Sequence, residues 1–325
     1  MIRKFYAGLL TVSALKKNRN ILILRVAVSV GILALLFWWL PTEKLLQAIR
    51  SVSGSIWLIA ISGFLFGHFV SALKWRFLLG IVGTHISRLD AVRAHGAGLF
   101  ANLCLPSIVG GDFVRAGIIV RKKGNIETIA LGSLMDRIND TFALLLLASI
   151  AGFFLPTHSD VSFGNVLIIF SATLLVLVIS LLVVIKLAPV DRLPPRISRI
   201  VIKLRSAIDL LLSAPHLALA GLTLSVGIQS AFIGLNILIA SSMEIPSSIV
   251  LWFFAWPLAK LIALAPISLG GIGVRDSALA GLMVIFGIDA SSVVAQSLSW
   301  QGVLIISGIL SGILVTWLPE NNNHK

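Results

Sequence analysis

Cysteine is nearly absent: Cys104 stands alone among 325 residues. A disulfide framework within the chain and a cysteine-based metal cluster are both excluded. The histidines His68, His85, His95, His158, His216 and His324 show neither His-x-x-x-His nor His-Glu spacing, so no zinc site, and no other metal or cofactor, is expected. A Gly-x-x-x-x-Gly-Lys-[Ser/Thr] loop is also missing, which excludes a resident P-loop ATPase. Charge is scarce, at 12% of residues, and acids are scarcer than bases, with 13 Asp and Glu against 26 Lys and Arg.

What fills the chain instead is apolar. Hydrophobic residues make up 58% of it and mean hydropathy is +1.02, a combination foreign to soluble domains. A helix needs about 20 apolar residues to cross the hydrocarbon. Stretches 21–40, 55–74, 127–155, 166–186, 217–240 and 291–318 reach that length. Ten-residue alternation of the barrel type is absent, so the expected fold is an all-α polytopic membrane protein with about six spanning helices.

Lys and Arg set the orientation. They collect at Arg3, Lys4, Lys16, Lys17 and Arg19, at Arg121, Lys122 and Lys123, and at Lys186, Arg192, Arg196, Arg199, Lys203 and Arg205. These segments are expected in the cytoplasm, with both termini there. No small-residue cleavage pattern precedes Lys16, so the N-terminus is read as retained. The net charge of +13 is assigned to these loops and to anionic lipid headgroups, not to nucleic acid. Within 194–213, Ile197, Ile200, Val201, Leu204, Ile208 and Leu211 recur at helical spacing among bases, which suggests an amphipathic helix on the inner leaflet.

An internal repeat organises the rest. Leu105-Pro-Ser-Ile-Val-Gly-Gly-Asp-Phe-Val-Arg115 returns as Ala265-Pro-Ile-Ser-Leu-Gly-Gly-Ile-Gly-Val-Arg275, with one offset of 160 residues aligning Pro106 with Pro266 and Arg115 with Arg275. Around these motifs, 84–121 and 247–286 are read as non-spanning segments, two re-entrant helical hairpins. Three spans separate them, so the hairpins enter from opposite faces and the unit of span, span, hairpin, span is an inverted repeat. The chain is then one membrane domain over 1–325, with halves at 20–155 and 165–318.

Candidate site residues follow from the motifs. Gly110 and Gly111 permit a sharp turn, and the helix they open would offer N–H groups to a phosphate. Asp112 and Arg115 lie three apart, so Arg115 is either a phosphate ligand or the partner of Asp112. Gly270, Gly271 and Arg275 repeat the backbone chemistry, with Ile272 where Asp112 stood. Asp136, Arg137 and Asp140 sit two turns into an apolar helix, where an uncompensated charge costs on the order of 3 kcal/mol. The alternatives are a salt bridge to Arg115 or Arg93, an ion relay through Asp136 and Asp140, or contact with a headgroup. Lys260, near a kink expected at Pro257, must snorkel or find an anion and is the best candidate for a phosphate ligand of the second half. Asn102 would donate to a headgroup or cap backbone. Lys74-Trp75-Arg76 is read as an interfacial anchor.

These residues carry a resemblance. Pro106, Gly110-Gly111-Asp112, Arg115, Asp136-Arg137 and Pro266-Ile-Ser-Leu-Gly-Gly-Ile-Gly-Val-Arg275 are similar to the pattern of the lysylphosphatidylglycerol synthase transmembrane-region family, over about residues 20 to 318. That family holds the lipid-moving membrane half of those synthases and stand-alone proteins linked to lipid or glycolipid export. The resemblance implies a transporter, not an enzyme, that moves an anionic or phosphate-bearing (glyco)lipid between leaflets of a bacterial cytoplasmic (inner) membrane. No room remains for the aminoacyl-transferase domain. Where members often carry an arginine on the last span, this chain reads Ser299-Trp300-Gln301. The rival reading is a membrane-embedded enzyme or an accessory subunit of a lipid-headgroup or polyprenyl-sugar transferase. Membrane lipids are the expected partners, with a biosynthetic enzyme or a second copy of the chain as protein partners left open.

Overall fold

The computed structural model describes residues 50–104, 110–155, 214–264 and 273–317, with scattered positions between 183 and 209. The expected span at 21–40, nearly all of the one at 166–186, most of the amphipathic stretch, and Gly270 and Gly271 lie outside them. The described residues form α1 (Gly54–Ile81), α2 (Arg88–Cys104), α3 (Gly110–Lys123), α4 (Ile126–Phe153), α5 (Pro215–Ser242), α6 (Ile249–Ile262), α7 (Val274–Val284) and α8 (Ala290–Trp317). No strand occurs among them.

Length divides the helices into two kinds. α1, α4, α5 and α8 each have 28 residues, about 42 Å at 1.5 Å per residue, more than the roughly 30 Å of hydrocarbon. α1, α5 and α8 are long and apolar enough to cross a membrane. α4 matches their length but carries Asp136, Arg137 and Asp140 in its middle. α2, α3, α6 and α7 have 17, 14, 14 and 11 residues and are too short to cross alone. They pair as two hairpins, α2 with α3 and α6 with α7.

Local chemistry sets the boundaries. Ser53 caps α1 by accepting from the Ile56 amide, Asn125 caps α4 through Thr128, and Ser248 caps α6 through Leu251. The helix α6 runs through Pro257 without a break. Gly273 precedes α7 at φ 81°, a conformation that a Cβ disfavours. At the first hairpin, α2 and α3 touch backbone to backbone: a Cβ on Gly111 would lie 2.3 Å from the Gly98 carbonyl oxygen.

Packing crosses between the halves. α1 packs against α5, the hairpin helix α2 against α8, and the hairpin helix α6 against α4. Phe64, Phe232, Trp256 and Trp300, one from each of α1, α5, α6 and α8, meet at this crossing. Ring centroids are 5.4 Å apart for Phe64 and Phe232 and 5.7 Å for Trp256 and Trp300. The outward faces keep large apolar side chains, among them Leu58, Phe66, Leu219 and Ile313, as surfaces meeting lipid chains do.

Candidate functional site

A cavity of about 490 Å³ opens at this crossing, and all eight helices contribute to its wall. Its volume falls within the range of about 300 to 1,000 Å³ typical of small-molecule sites. Phe64, Phe232, Trp256 and Trp300 form one side, while Asp112, Arg115, Asp136, Arg137, Asp140 and Lys260 bring charge to the others. Leu304, Ile305 and Gly308 of α8 extend the lining with apolar surface.

The charge on α3 and α4 is held in a network. Arg115 donates from Nη2 to Asp136 at 2.7 Å, and its Nε lies 3.1 Å from Asp112 one turn earlier. Arg137 pairs with the other oxygen of Asp112, donating from Nε at 2.5 Å. Lys74 lies 3.0 Å from Asp136, donates to Asp140 at 2.5 Å, and reaches the Ser225 hydroxyl at 2.8 Å. Three cations, Lys74, Arg115 and Arg137, thus meet three carboxylates, Asp112, Asp136 and Asp140. Burial explains the pairing, because Lys74, Arg115 and Asp136 are each at least 95% buried, and an unpaired charge at that depth costs several kcal/mol. Arg115 also sits over the Trp75 ring, 4.8 Å from its centroid.

The interfacial-anchor reading of Lys74-Trp75-Arg76 is corrected here. The helix α1 continues to Ile81, so Lys74 and Trp75 lie two turns inside it and are buried, at 1% and 0% exposure. Of the two arginines considered for the salt bridge, Arg115 is the one paired with Asp136. Asn102 acts on backbone: its Oδ1 accepts from the Gly111 amide at 2.7 Å.

The second hairpin forms a compact counterpart. Arg275 binds the fully buried Asp276 at 2.8 Å, donates to Gln301 at 3.2 Å and lies 5.4 Å from the Trp256 ring centroid. Asp276 turns its other oxygen to the Gly273 amide at 3.0 Å and also accepts from Ser297. The start of α7 therefore already holds an anion, its own carboxylate, at the positive end of the helix.

Lys260 differs from the other cations of the cavity wall. It donates to the neutral Gln229 side chain at 2.9 Å and lies 5.8 Å from the Phe232 ring centroid. Among the described residues no carboxylate lies within 4 Å of it. Counting the cluster on α1, α3 and α4 as neutral and Arg275 with Asp276 as neutral, Lys260 leaves the wall with one positive charge.

The structure thus brings together Asn102, Gly111, Asp112, Arg115, Asp136, Arg137, Asp140, Lys260 and Arg275 at one cavity. Gly110 is buried at the start of α3, and Gly270 and Gly271 lie outside the described residues. Sequence reasoning missed His68, His95, Gln229, Trp256 and Trp300 as wall residues. A polar residue inside an otherwise apolar span, such as Gln229 or His68, was the available signal. No group of three or more His, Cys, Asp or Glu suited to a metal occurs among the described residues.

Spanning helices, two hairpins of short helices and a charged cavity where they cross define a polytopic α-helical membrane protein. Comparison with known families agrees and goes further: the description of the lysylphosphatidylglycerol synthase TM region matches residues 22–312. The chain belongs to that family. No curated protein matches it closely.

Proposed function

We propose that the protein is a lipid transporter that moves an anionic, phosphate-bearing lipid between leaflets, with the headgroup in the cavity and the acyl chains in the bilayer. The observation that carries this reading is Lys260, a cation on the cavity wall with no carboxylate partner among the described residues. A charge so placed is stabilised by an anion that enters from outside the fold. The shorter apolar lining from Leu304 to Gly308 gives the first carbons of the tails a surface to follow.

The pathway rests on an inverted repeat. The order long, short pair, long recurs in the two halves, and α2 on α8 mirrors α6 on α4, as a twofold relation between halves requires. In this reading the apolar length of 166–186 counts as a span between α4 and α5, so the two hairpins enter from opposite faces, and the basic segments of the sequence argue for cytoplasmic termini. Movement is then downhill, ion-coupled or driven by a partner. Coupling through Asp136 or Asp140 requires the incoming ion to displace Lys74 from them.

The test is leaflet exchange in liposomes, following labelled phosphatidylglycerol and labelled phosphatidylcholine. Wild type is expected to exchange phosphatidylglycerol faster, and Lys260→Gln to lose most of that rate while remaining folded. Equal exchange by wild type and Lys260→Gln would overturn the reading. Turnover of the headgroup by the purified protein would favour an enzyme instead.

A further inference from the structure

We propose that His68 and Trp256 are headgroup-contacting donors, that His68 is held in its donor form by a hydrogen-bond chain from Arg115 through His95, and that together with Lys260 they fit the cavity to a phosphodiester carrying no amine. The proposal rests on the transport reading above and names the headgroup class that the cavity takes.

The chain has a fixed direction. Arg115 Nη1 lies 3.3 Å from His95 Nδ1. A guanidinium has donors and no acceptor, so His95 Nδ1 must accept and carry no proton. The remaining proton of His95 is then on Nε2, which lies 3.1 Å from His68 Nδ1. His68 Nδ1 accepts in turn, which puts the proton of His68 on Nε2. Both rings are neutral, and the hydrogen on His68 Nε2 is left over. No protein acceptor among the described residues takes it, although His68 stands in the cavity wall between Phe64 and Phe232.

Trp256 supplies the second such group. Its side chain is 98% buried and lines the cavity, and its indole N–H has no acceptor. Buried donors without partners are rare in folded proteins, and a ligand is one explanation for them. Most acceptors of the wall, by contrast, are occupied. Gln229 Oε1 takes Lys260, Gln301 Oε1 takes Arg275, and Asn102 Oδ1 takes the Gly111 amide. Asp112 is held through both oxygens, Asp136 takes Arg115 on Oδ2 while its buried Oδ1 lies 3.0 Å from Lys74 without a hydrogen bond, and Asp140 is held by Lys74 through one.

Spare donors with one spare positive charge call for a ligand rich in acceptors and carrying one negative charge. A phosphodiester has that composition. An added ammonium group would find one open carboxylate oxygen, on Asp140, besides the buried Asp136 Oδ1 beside Lys74, and would meet Lys260 as a like charge. The three arginines of the wall, Arg115, Arg137 and Arg275, are already spent on carboxylates, so discrimination falls to the uncommitted donors. His95 touches no headgroup in this scheme and is a positioning residue.

Calorimetric titration of the purified protein in detergent with dihexanoyl phosphatidylglycerol, dihexanoyl phosphatidylcholine and tail-less glycerophosphoglycerol tests the proposal. Wild type should bind phosphatidylglycerol at least about tenfold tighter than phosphatidylcholine. Trp256→Phe and His68→Phe should each weaken phosphatidylglycerol about tenfold, the scale of one hydrogen bond to a charged group, and bring it down toward phosphatidylcholine. His68→Gln, which keeps an N–H donor, should recover most of the loss. His95→Leu should match His68→Phe, and the double variant should lose no more than either alone, because the two act as one unit.

Unchanged phosphatidylglycerol affinity in both Phe variants, each folded by its melting temperature, overturns the proposal. So does equal binding of the two lipids by wild type. Exchange that depends on Lys260 but ignores both Phe variants sinks this inference and leaves the transport reading standing. Equal affinity for glycerophosphoglycerol supports the donors and overturns the lipid reading. No binding of any of the three overturns both.

Discussion

Replacing Lys74 with methionine removes one cation from a balanced cluster of six charges, and the cost can be worked out from the contacts. Lys74 is 1% exposed and touches Asp136 at 3.0 Å and Asp140 at 2.5 Å. Without it Asp136 keeps Arg115 at 2.7 Å, whereas Asp140 loses its only ion pair among the described residues. Removing one member of a buried pair costs about 3–5 kcal/mol. The Asp140 side chain is 27% exposed to the cavity, so water reaches it and the loss sits near the lower end, about 3 kcal/mol. Lys74→Met should therefore melt well below wild type in detergent, followed by tryptophan fluorescence. Adding Asp140→Asn removes the stranded charge and leaves Arg115 and Arg137 facing Asp112 and Asp136. The double variant should regain at least half of the lost melting temperature. If Lys74→Met melts like wild type, or if the double variant melts no higher than the single one, the cluster is not held by charge balance and the reasoning fails.

Three further outcomes are expected. Gly111→Ala puts a Cβ 2.3 Å from the Gly98 carbonyl and should melt markedly lower, while Gly117→Ala, on the same helix with nothing within 4 Å, should be neutral or slightly stabilising; equal melting of the two would deny the close contact of α2 with α3. Gln296 donates to Asn236 at 2.8 Å between α8 and α5, both fully buried. Asn236→Leu should cost about 1–3 kcal/mol, and Asn236→Leu with Gln296→Leu should recover most of it, since no polar group is then stranded. At the first turn of α2, outside the spanning helices, burial works to raise the Asp90 carboxyl, but Lys122 at 2.7 Å and Ser87 outweigh it and hold the group below its usual range. A depressed carboxylate contributes stability above its unfolded value of about 3.9 and loses it as pH falls through the folded value. The melting advantage of wild type over Asp90→Asn should therefore be present near neutrality and shrink below about pH 4; an advantage that persists in acid would contradict the pairing.

The residues that sequence alone read well are those whose chemistry is local. Helix length against membrane thickness marked α1, α5 and α8, and the duplicated glycine motifs marked the two hairpins, because both depend on neighbours along the chain. Asp112 with Arg115 was legible for the same reason, as a pair one helical turn apart. Lys74 was not. Its span was ended at the first charged residue, as hydropathy directs, but the charges that receive it lie on α4, 62 and 66 residues away. Partners from another helix turned an apparent helix end into a buried interior. The same blindness hid His68, His95 and Trp256, whose donors acquire meaning only when α1, α2, α3 and α6 are brought together. A membrane helix tolerates such residues only where protein surrounds them, so each polar residue inside an apolar span already predicted a partner without naming it. Lys260 is the instructive case: its neighbours in sequence said it must snorkel or find an anion, and its neighbours in space supply no carboxylate within 4 Å among the described residues. That mismatch between a need legible in the sequence and a fold that leaves it unmet is what the proposed headgroup site rests on.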